Sequence, residues 1–249
     1  MFSSEAIAKI IFLRDHVNEI LNNLFTNLIH IAVWGKRIAI DIELMRCKIK
    51  ETDRCIMNRE EKLATVYEAA LRVFARYGYR RTRVEDIADE LGMTKGNLYL
   101  YVENKRDLYE KAVAHGLLRW QEMVSKSIEK IDDVVEQFLV MCKKSYTYLS
   151  RDVSLRTVLI NDPSIFPLSS KEDPFYDINH TSMQLLRRVL EKGILQGKFR
   201  EVDVDHLTEL LYSVYVMFII KTYVKSEGKS TQKMFEQGLD VIMQGLLKR

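Results

Sequence analysis

The sequence predicts an all-α protein, and three observations carry that prediction. The chain has 249 residues with only 3 prolines and 10 glycines, so few positions interrupt helices. Apolar residues recur at spacings of three and four, whereas alternating β-branched runs are hard to find. With 47% hydrophobic residues, the chain is long and apolar enough to bury one or two cores.

Three sections follow one another along the chain. Residues 1–56 are predicted to be an N-terminal helical extension, because apolar residues between Ile7 and Ile31 keep helical spacing. A translated upstream segment, with Met57 as the physiological start, is the alternative. Residues 57–110 form the second predicted domain and residues 111–249 the third.

Composition narrows the cellular setting. Lys plus Arg total 38 and Asp plus Glu total 35, so any nucleic-acid surface must be a local patch. The apolar stretch from Leu24 to Trp34 is too short and too polar to span a bilayer. An odd number of cysteines without a secretion signal indicates free thiols in a reducing compartment: Cys47, Cys55 and Cys142. We therefore predict a cytoplasmic protein with no membrane partner.

Catalytic and metal-binding motifs are missing from the sequence. The histidines are scattered, without metal-binding spacing to Cys or to one another: His16, His30, His115, His180 and His206. There is no glycine-rich phosphate loop and no serine nucleophile elbow. We therefore predict neither an enzyme nor a bound cofactor or metal.

Two short helices joined by a glycine turn are predicted in the second section. Thr82 and Glu85 form a capping box at the start of the first helix. Gly92 stops that helix at a tight turn, and Thr94 caps the next helix, Lys95 to Tyr101. Such a pair, braced by a longer helix, is typical of a helix-turn-helix.

Longer helices flank this pair. Asn58 can cap the preceding helix, and Gly78 ends it as a left-handed C′ residue. Asn104 with Asp107 caps the following helix, and Lys105 lies in its first turn.

Residues 58–110 resemble the DNA-binding domain of the TetR family of regulators. The matching stretches are Thr82-Arg83-Val84-Glu85-Asp86-Ile87-Ala88 and Leu91-Gly92-Met93-Thr94-Lys95-Gly96-Asn97-Leu98-Tyr99-Leu100-Tyr101, together with Lys105 and Leu108. The match covers about a fifth of the chain, which makes it far more specific than one short motif. It implies a three-helix helix-turn-helix DNA-binding domain followed by a helical domain for ligand binding and dimerisation.

The resemblance also implies which side chains contact DNA. The helix after Thr94 would enter the major groove, where Asn97 contacts adenine and Lys95 reaches guanine or a phosphate. Gly96 lets the backbone approach the groove closely. The implied contact set is Thr82, Arg83, Thr94, Lys95, Gly96, Asn97, Tyr99, Leu100 and Lys105.

Three residues of this set are expected to contact the phosphate backbone. Thr82 and Lys105 lie at helix N-termini, whose amides attract phosphate, and Tyr99 would add a hydroxyl. Local positive charge comes from Arg80, Arg81 and Arg83. Leu100 departs from the polar or aromatic residue that family members commonly carry, which leaves an aliphatic contact such as a thymine methyl.

The third section consists of amphipathic segments separated by turn signals. Helices are predicted over Asp132 to Ser150, Asp152 to Ile160, Pro174 to near Gly197, Asp203 to Glu227 and Thr231 to Lys248. Asp173 is predicted to cap the third of them.

The last two helices are predicted to build a homodimer through a four-helix bundle between subunits. TetR-like proteins dimerise through their two C-terminal helices, and a purely intrachain core is the alternative. The predicted interface is Leu211, Tyr215, Phe218, Phe235, Gly238, Leu239, Ile242 and Gly245.

An apolar cavity for a small effector is predicted among the helices of the third section. Its candidate lining is Trp120, Phe138, Met141, Tyr146, Phe166, Phe175 and Met183. Ordinary core packing is the alternative for each of them.

The predicted function is a ligand-responsive transcriptional repressor. It binds a palindromic, double-stranded DNA operator as a homodimer and is released by a mostly apolar small molecule. Two alternatives stay open. One is an activator or ligand-independent regulator of the same fold, and the other is a helical interaction module that has lost DNA binding.

Overall fold

The computed structural model describes residues 59–162, 165, 173–224 and 228–248. Within Glu61–Arg249 the described residues form one compact unit. They are helical apart from turns and one isolated antiparallel bridge between Phe199 and Leu247, which confirms the all-α prediction. The predicted extension over residues 1–56, the cap Asn58, Cys47 and Cys55 lie outside the described residues.

Four helices at the start of the described residues contain the predicted helix-turn-helix. They are α1 at residues 59–81, α2 at Val84–Glu90, α3 at Lys95–Leu98 and α4 at Lys105–Ile128. Gly78 has a φ of +75° and interrupts the regular geometry of α1. Gly92 has a φ of +63° and makes the turn between α2 and α3. Both glycines thus occupy the left-handed conformation that the sequence predicts. The predicted end of the helix at Gly78 is wrong, because α1 continues to residue 81.

Five further α-helices follow in the described part of this unit. They are α5 at Val134–Arg151, α6 at Val153–Asn161, α7 at Tyr176–Leu195, α8 at Val204–Ile219 and α9 at Gly228–Leu246. The helix predicted from Asp203 to Glu227 is wrong in where its α-helical part ends, because α8 ends at Ile219. A π-helical turn follows at Ile220–Val224.

Aspartates begin three of these helices. The carboxylates of Asp133, Asp152 and Asp203 each accept a hydrogen bond from a backbone N–H in the first turn. These bonds satisfy amides that have no partner inside the helix.

The start of α7 differs from its prediction. Phe175, not Asp173, occupies the N-cap position. The Asp173 carboxylate instead accepts from the Phe175 backbone N–H and from the Asn179 side-chain amide, both at 2.8 Å. Asp173 therefore organises the turn before the helix, and Pro174 precedes the helix instead of opening it.

Helix α4 lies at the centre of the unit and packs against α5, α6 and α7. Its residues Leu108, Ala112 and Val113 are fully buried. At Gly116 an added Cβ would lie 3.0 Å from the Leu155 Cδ1 atom, so the glycine permits close approach of α6. Because α4 runs continuously across residue 110, the predicted domain boundary there falls inside a helix and stays a prediction.

Two further properties of the described residues bear on other classes of protein. No helix among them is long and apolar enough to cross a membrane. These residues also bring together no group of three His, Cys, Asp or Glu side chains that could hold a metal ion.

Candidate functional site

Helix α3 divides its side chains between the core and solvent. Leu98 is fully buried, whereas Lys95, Gly96 and Asn97 are exposed. Thr94 precedes the helix in extended backbone, and its hydroxyl accepts a hydrogen bond from the Asn97 N–H at 3.3 Å. The buried leucine and the threonine cap together fix which face of α3 turns outward.

The exposed surface continues past the end of α3. Tyr99 is 41% exposed and Leu100 is 75% exposed. The N–H groups of Leu100 and Tyr101 bond to carbonyls three residues earlier, as in a 3₁₀ turn. The helix therefore ends at Leu98, three residues before the predicted end at Tyr101.

Lys95 has an acidic partner on α2. Its Nζ lies 2.6 Å from Glu85 Oε1, and both side chains are about half exposed. The hydrogen bond with Glu85 raises the pKa of Lys95, and the same bond lowers the pKa of Glu85. Exposed ion pairs of this kind contribute little to the free energy of folding. Lys95 can therefore leave Glu85 and contact another anion or a nucleobase.

Lys105 is held in place at the start of α4. Its Nζ donates to the Arg80 carbonyl at 3.2 Å and lies 4.6 Å from the ring centroid of Tyr79. Asn104 caps the helix by accepting from the N–H groups of Arg106 and Asp107, as the sequence predicts. The Lys105 charge therefore lies beside a run of arginines at the end of α1 and the start of α2.

That run consists of three exposed arginines, namely Arg80, Arg81 and Arg83. Arg81 Nε donates to the Tyr77 carbonyl at 3.1 Å. Together with Lys105, these side chains make a local positive patch on a chain whose formal charge is only +3.

Thr82 requires a correction. It is 2% exposed, and its hydroxyl donates to the Gly78 carbonyl at 2.8 Å. The predicted capping box of Thr82 and Glu85 is wrong, because Arg83 is the N-cap of α2 and its N–H donates to the Asp86 carboxylate at 2.7 Å. The Thr82 hydroxyl closes the end of α1 and is buried away from any phosphate.

A cavity of about 130 Å³ lies between α4, α5, α7, α8 and α9. Of the predicted effector residues, Trp120, Phe138 and Met141 line it. Phe166 lies outside the described residues. The other three are absent from the described lining, namely Tyr146, Phe175 and Met183.

Tyr146 illustrates why helical spacing misassigned these residues. Its ring stacks on Phe235 with centroids 4.1 Å apart, and its hydroxyl bonds to Thr222 at 2.7 Å. It therefore supports the wall of the cavity from behind.

Most of the predicted dimer residues also face this cavity. Six of them line it, namely Leu211, Tyr215, Phe218, Phe235, Leu239 and Ile242. Phe235 and Leu239 are already 8% and 6% exposed within one subunit. The intrachain alternative therefore accounts for the burial of Phe235 and Leu239, and the assignment of the predicted residues to a subunit interface stays a prediction.

A different face of α8 and α9 carries exposed apolar side chains. Leu210 and Met217 are 58% and 59% exposed, and Met234 and Val241 are 43% and 69% exposed. Each pair is seven residues apart, so each lies on one face of its helix. We call these four residues the outer face. Two predicted interface glycines follow the α9 stripe at helical spacing, Gly238 and Gly245.

Polar cavity residues were missed by the sequence reasoning, which searched for apolar and aromatic stripes. They include Gln121 on α4, Asn179 and Ser182 on α7, and Tyr212 on α8. The sequence feature that could have identified them is a polar residue within a helical stripe of apolar residues that faces inward.

Arg119 connects α1 to the helices beside the cavity. Its guanidinium lies 2.8 Å from Glu68 of α1 and 2.9 Å from Asp152, the cap of α6. Asp152 also accepts from the Tyr148 hydroxyl at 3.2 Å, and the Tyr148 ring stacks on Trp120 at 5.4 Å. A continuous set of contacts therefore runs from a cavity residue to α1.

Comparison with known proteins gives a consistent result. Residues 66–112 match the family model described as bacterial regulatory proteins, tetR family. The chain is 34% identical to the uncharacterized HTH-type transcriptional regulator YezE of Bacillus subtilis (strain 168), over 62% of this chain and 82% of that protein.

More distant relatives include a named repressor and a solved regulator structure with the same fold. The chain is 24% identical to the HTH-type transcriptional repressor KstR2 of Rhodococcus jostii (strain RHA1), over 72% of this chain and 88% of the repressor. The solved structure of the regulator FadR from Bacillus subtilis in complex with stearoyl-CoA is 20% identical, with a TM-score of 0.62 over 72% of this chain and 97% of that chain.

Proposed function

The chain belongs to the TetR family of bacterial transcriptional regulators, and on that premise we propose that it is a ligand-responsive repressor. It binds a palindromic operator as a homodimer, and a small, mostly apolar molecule releases it. The relatives support repression and ligand response, since one is named a repressor and another is solved in complex with stearoyl-CoA.

The observation that carries this proposal is the outward face of α3. A capped turn of helix presents Asn97 to solvent while Leu98 anchors it in the core. In this arrangement the N-terminal end of α3 enters the major groove, and the Asn97 amide makes two hydrogen bonds to one adenine. Lys95, Gly96 and Leu100 are exposed beside it.

The positive patch positions this face on the DNA backbone. Lys105 and the exposed Arg83 neutralise phosphates on the two sides of the groove, and release of counterions makes the affinity depend on salt. Tyr99 adds a hydroxyl beside them. Thr82 has no part in this proposal, because its hydroxyl is buried and bonded to Gly78.

Dimerisation is assigned to the outer face of α8 and α9. Monomeric proteins seldom expose several large apolar residues together, and such surfaces mark interaction sites. A second copy packed there would form a four-helix bundle, with Gly238 and Gly245 permitting close helix approach. The dimer would set its two α3 helices about 34 Å apart, the spacing of successive major grooves.

The Arg119 contacts supply a route from effector to DNA. A molecule beside Trp120 alters the Tyr148 ring stacked on it, and through Asp152 and Arg119 the position of Glu68 on α1. A ligand that favours one arrangement of these contacts changes operator affinity by its differential binding to the two states.

A gel shift with the DNA upstream of its own gene tests the proposal directly. We expect a specific complex at moderate salt, and Asn97→Ala to weaken it by about 1–3 kcal/mol with relaxed preference at one base pair. Asn161→Ala serves as the control, because Asn161 is also exposed but lies at the end of α6. Absence of a specific complex, with a protein partner recovered instead, would leave an interaction module.

A further inference from the structure

Polar side chains of α4 and α7 lie together in the lining of the cavity, and we call this part of the lining the polar end. Gln121 Nε2 donates to the Ile178 carbonyl at 3.1 Å and to Ser182 Oγ at 3.2 Å, which ties α4 to α7. Asn179 Nδ2 donates to Asp173 at 2.8 Å. The remaining lining is largely apolar and aromatic. The cavity therefore has a polar end fixed by its own hydrogen bonds.

The polar end keeps hydrogen-bonding capacity for a guest molecule. The Tyr215 hydroxyl donates to the Ser145 carbonyl at 3.3 Å, but the Tyr212 hydroxyl bonds to no described residue. Burial raises the pKa of Tyr212, so its hydroxyl stays protonated and able to donate. The side-chain oxygens of Gln121 and Asn179 also accept from none of the described residues. The Tyr212 hydroxyl and the two amide oxygens are thus available to a bound molecule.

Charge at this end disfavours an anion. None of the described lining residues is Lys, Arg or His. The Asp173 carboxylate lies behind Asn179, and its charge acts on Tyr212. A carboxylate or phosphate in the cavity would lose its hydration without gaining a cationic partner.

Size limits the guest further. Apolar cavities of about 150 Å³ hold a molecule such as benzene, and this cavity has about 130 Å³. A single ring or a short aliphatic body with one small polar group matches that volume.

We propose that the cavity binds a compact, uncharged alcohol or phenol, whose hydroxyl oxygen accepts from Tyr212 and whose hydroxyl hydrogen is donated to Gln121 or Asn179. The hydrocarbon body lies against Trp120, Phe138 and the aromatic residues of α8 and α9. The inference rests on the proposed function only in naming this molecule the effector, because the binding itself requires no DNA.

Four probes of nearly equal size test the ligand class by isothermal titration of the full chain at about pH 7, where the acid and amine are ionised. They are toluene, benzyl alcohol, benzylammonium and benzoate. We expect benzyl alcohol to bind at least about tenfold more tightly than either ion. Tighter binding of an ion, or no binding of benzyl alcohol, overturns the proposal.

Tyr212→Phe tests the named donor. The ratio of the toluene Kd to the benzyl alcohol Kd should fall about three- to tenfold in this variant, since one hydrogen bond is lost. Using a ratio within one variant removes any general change in folding or cavity shape. Tyr176→Phe, which alters a tyrosine that is 46% exposed on α7, should leave the ratio unchanged. An unchanged ratio in Tyr212→Phe excludes the assigned hydrogen bond.

Gel shifts with the same probes separate this inference from the proposed function. If benzyl alcohol binds the protein but leaves the operator complex intact, the ligand response fails while the ligand class stands. If benzoate releases the operator, the ligand response stands and the ligand class fails.

Discussion

In the segment from α2 to α3, a helix of four residues buries Leu98 completely and turns its other side chains to solvent. Helix α8, by contrast, carries apolar residues nearly all round its axis. Leu211 and Phe218 line the cavity, whereas Leu210 and Met217 face solvent. A short helix held between a cap and a glycine turn can adopt few orientations. A helix that is apolar nearly all round has no single apolar stripe, so its sequence does not specify which side faces the core.

The difference has a functional consequence. The proposed DNA contacts come from one continuous stretch of chain, where local hydrogen bonds such as that from Asn97 to Thr94 orient the side chains. The proposed effector contacts come from five helices, so a change in any one of them alters the cavity. Loss of DNA contact should follow from local substitutions, and ligand response should be sensitive to packing.

The largest expected effect contrasts two leucines in the α3 segment. Leu98→Ala should lower the free energy of unfolding by about 3 kcal/mol, because it leaves a cavity in the core. Leu100→Ala should change it by less than about 0.5 kcal/mol, because Leu100 is 75% exposed. Urea unfolding followed by circular dichroism measures both. Similar losses in the two variants would contradict the orientation of α3.

The second prediction tests the two faces of α9. Val241→Asp should raise the dimer dissociation constant by roughly 100-fold or more, because dimerisation would bury an unpaired charge. Val153→Asp is the control, since Val153 is 55% exposed at the start of α6 and is not part of the outer face. Analytical ultracentrifugation measures both constants. A Val241→Asp variant that dimerises like the wild type would remove the outer face from the interface.

The third prediction concerns the salt dependence of DNA binding. Lys105→Ala should reduce the slope of log K against log salt by about one, because one phosphate contact is lost. Lys126→Ala, a change on the same helix, should leave the slope unchanged, since Lys126 pairs with Glu122 near the far end of α4. Equal slopes in wild type and Lys105→Ala would take Lys105 out of the contact set.

The smallest expected effect lies where α4 meets α1. Burial, and then the charge of Arg119, lower the pKa of His115 below its ordinary 6.5. The unfolded chain therefore binds this proton more readily, so the His115 contribution to stability is complete above pH 6.5 and declines below it. The wild type should lose unfolding free energy between about pH 7.5 and about pH 5.5, and His115→Gln should make this loss smaller. Chemical denaturation at the two pH values measures it, and an unaltered loss would contradict the assignment.

Local signals in the sequence predicted much of the fold. Thr94 and Asn104 each cap the helix that the sequence assigned to them, because a cap acts within one turn of its own backbone. Asp173 and Thr82 were exceptions, and Thr82 shows why. Its hydroxyl had two possible partners within four residues, and the turn at Gly78 brought the carbonyl of Gly78 within its reach.

The cavity was predicted only in part. Trp120, Phe138 and Met141 were identified, yet helical spacing cannot tell whether an inward residue meets empty space or another ring. Tyr146 fills its position by stacking on Phe235, which lies about ninety residues away in sequence. The polar residue Tyr212 could be assigned to the cavity only once α7 and α8 were placed together.

The sequence by itself determined that the chain is helical, that Thr94 and Asn104 are caps, that Gly92 makes a turn, and which stretch resembles a DNA-binding domain, since all of these depend on interactions within a few residues. The tertiary structure decided which apolar stripe faces the cavity and which faces outward, and it decided that Thr82 is buried. These outcomes depend on the packing of helices distant in sequence, because an apolar side chain is stabilised by burial against any partner, while a cap is stabilised by one particular neighbouring amide.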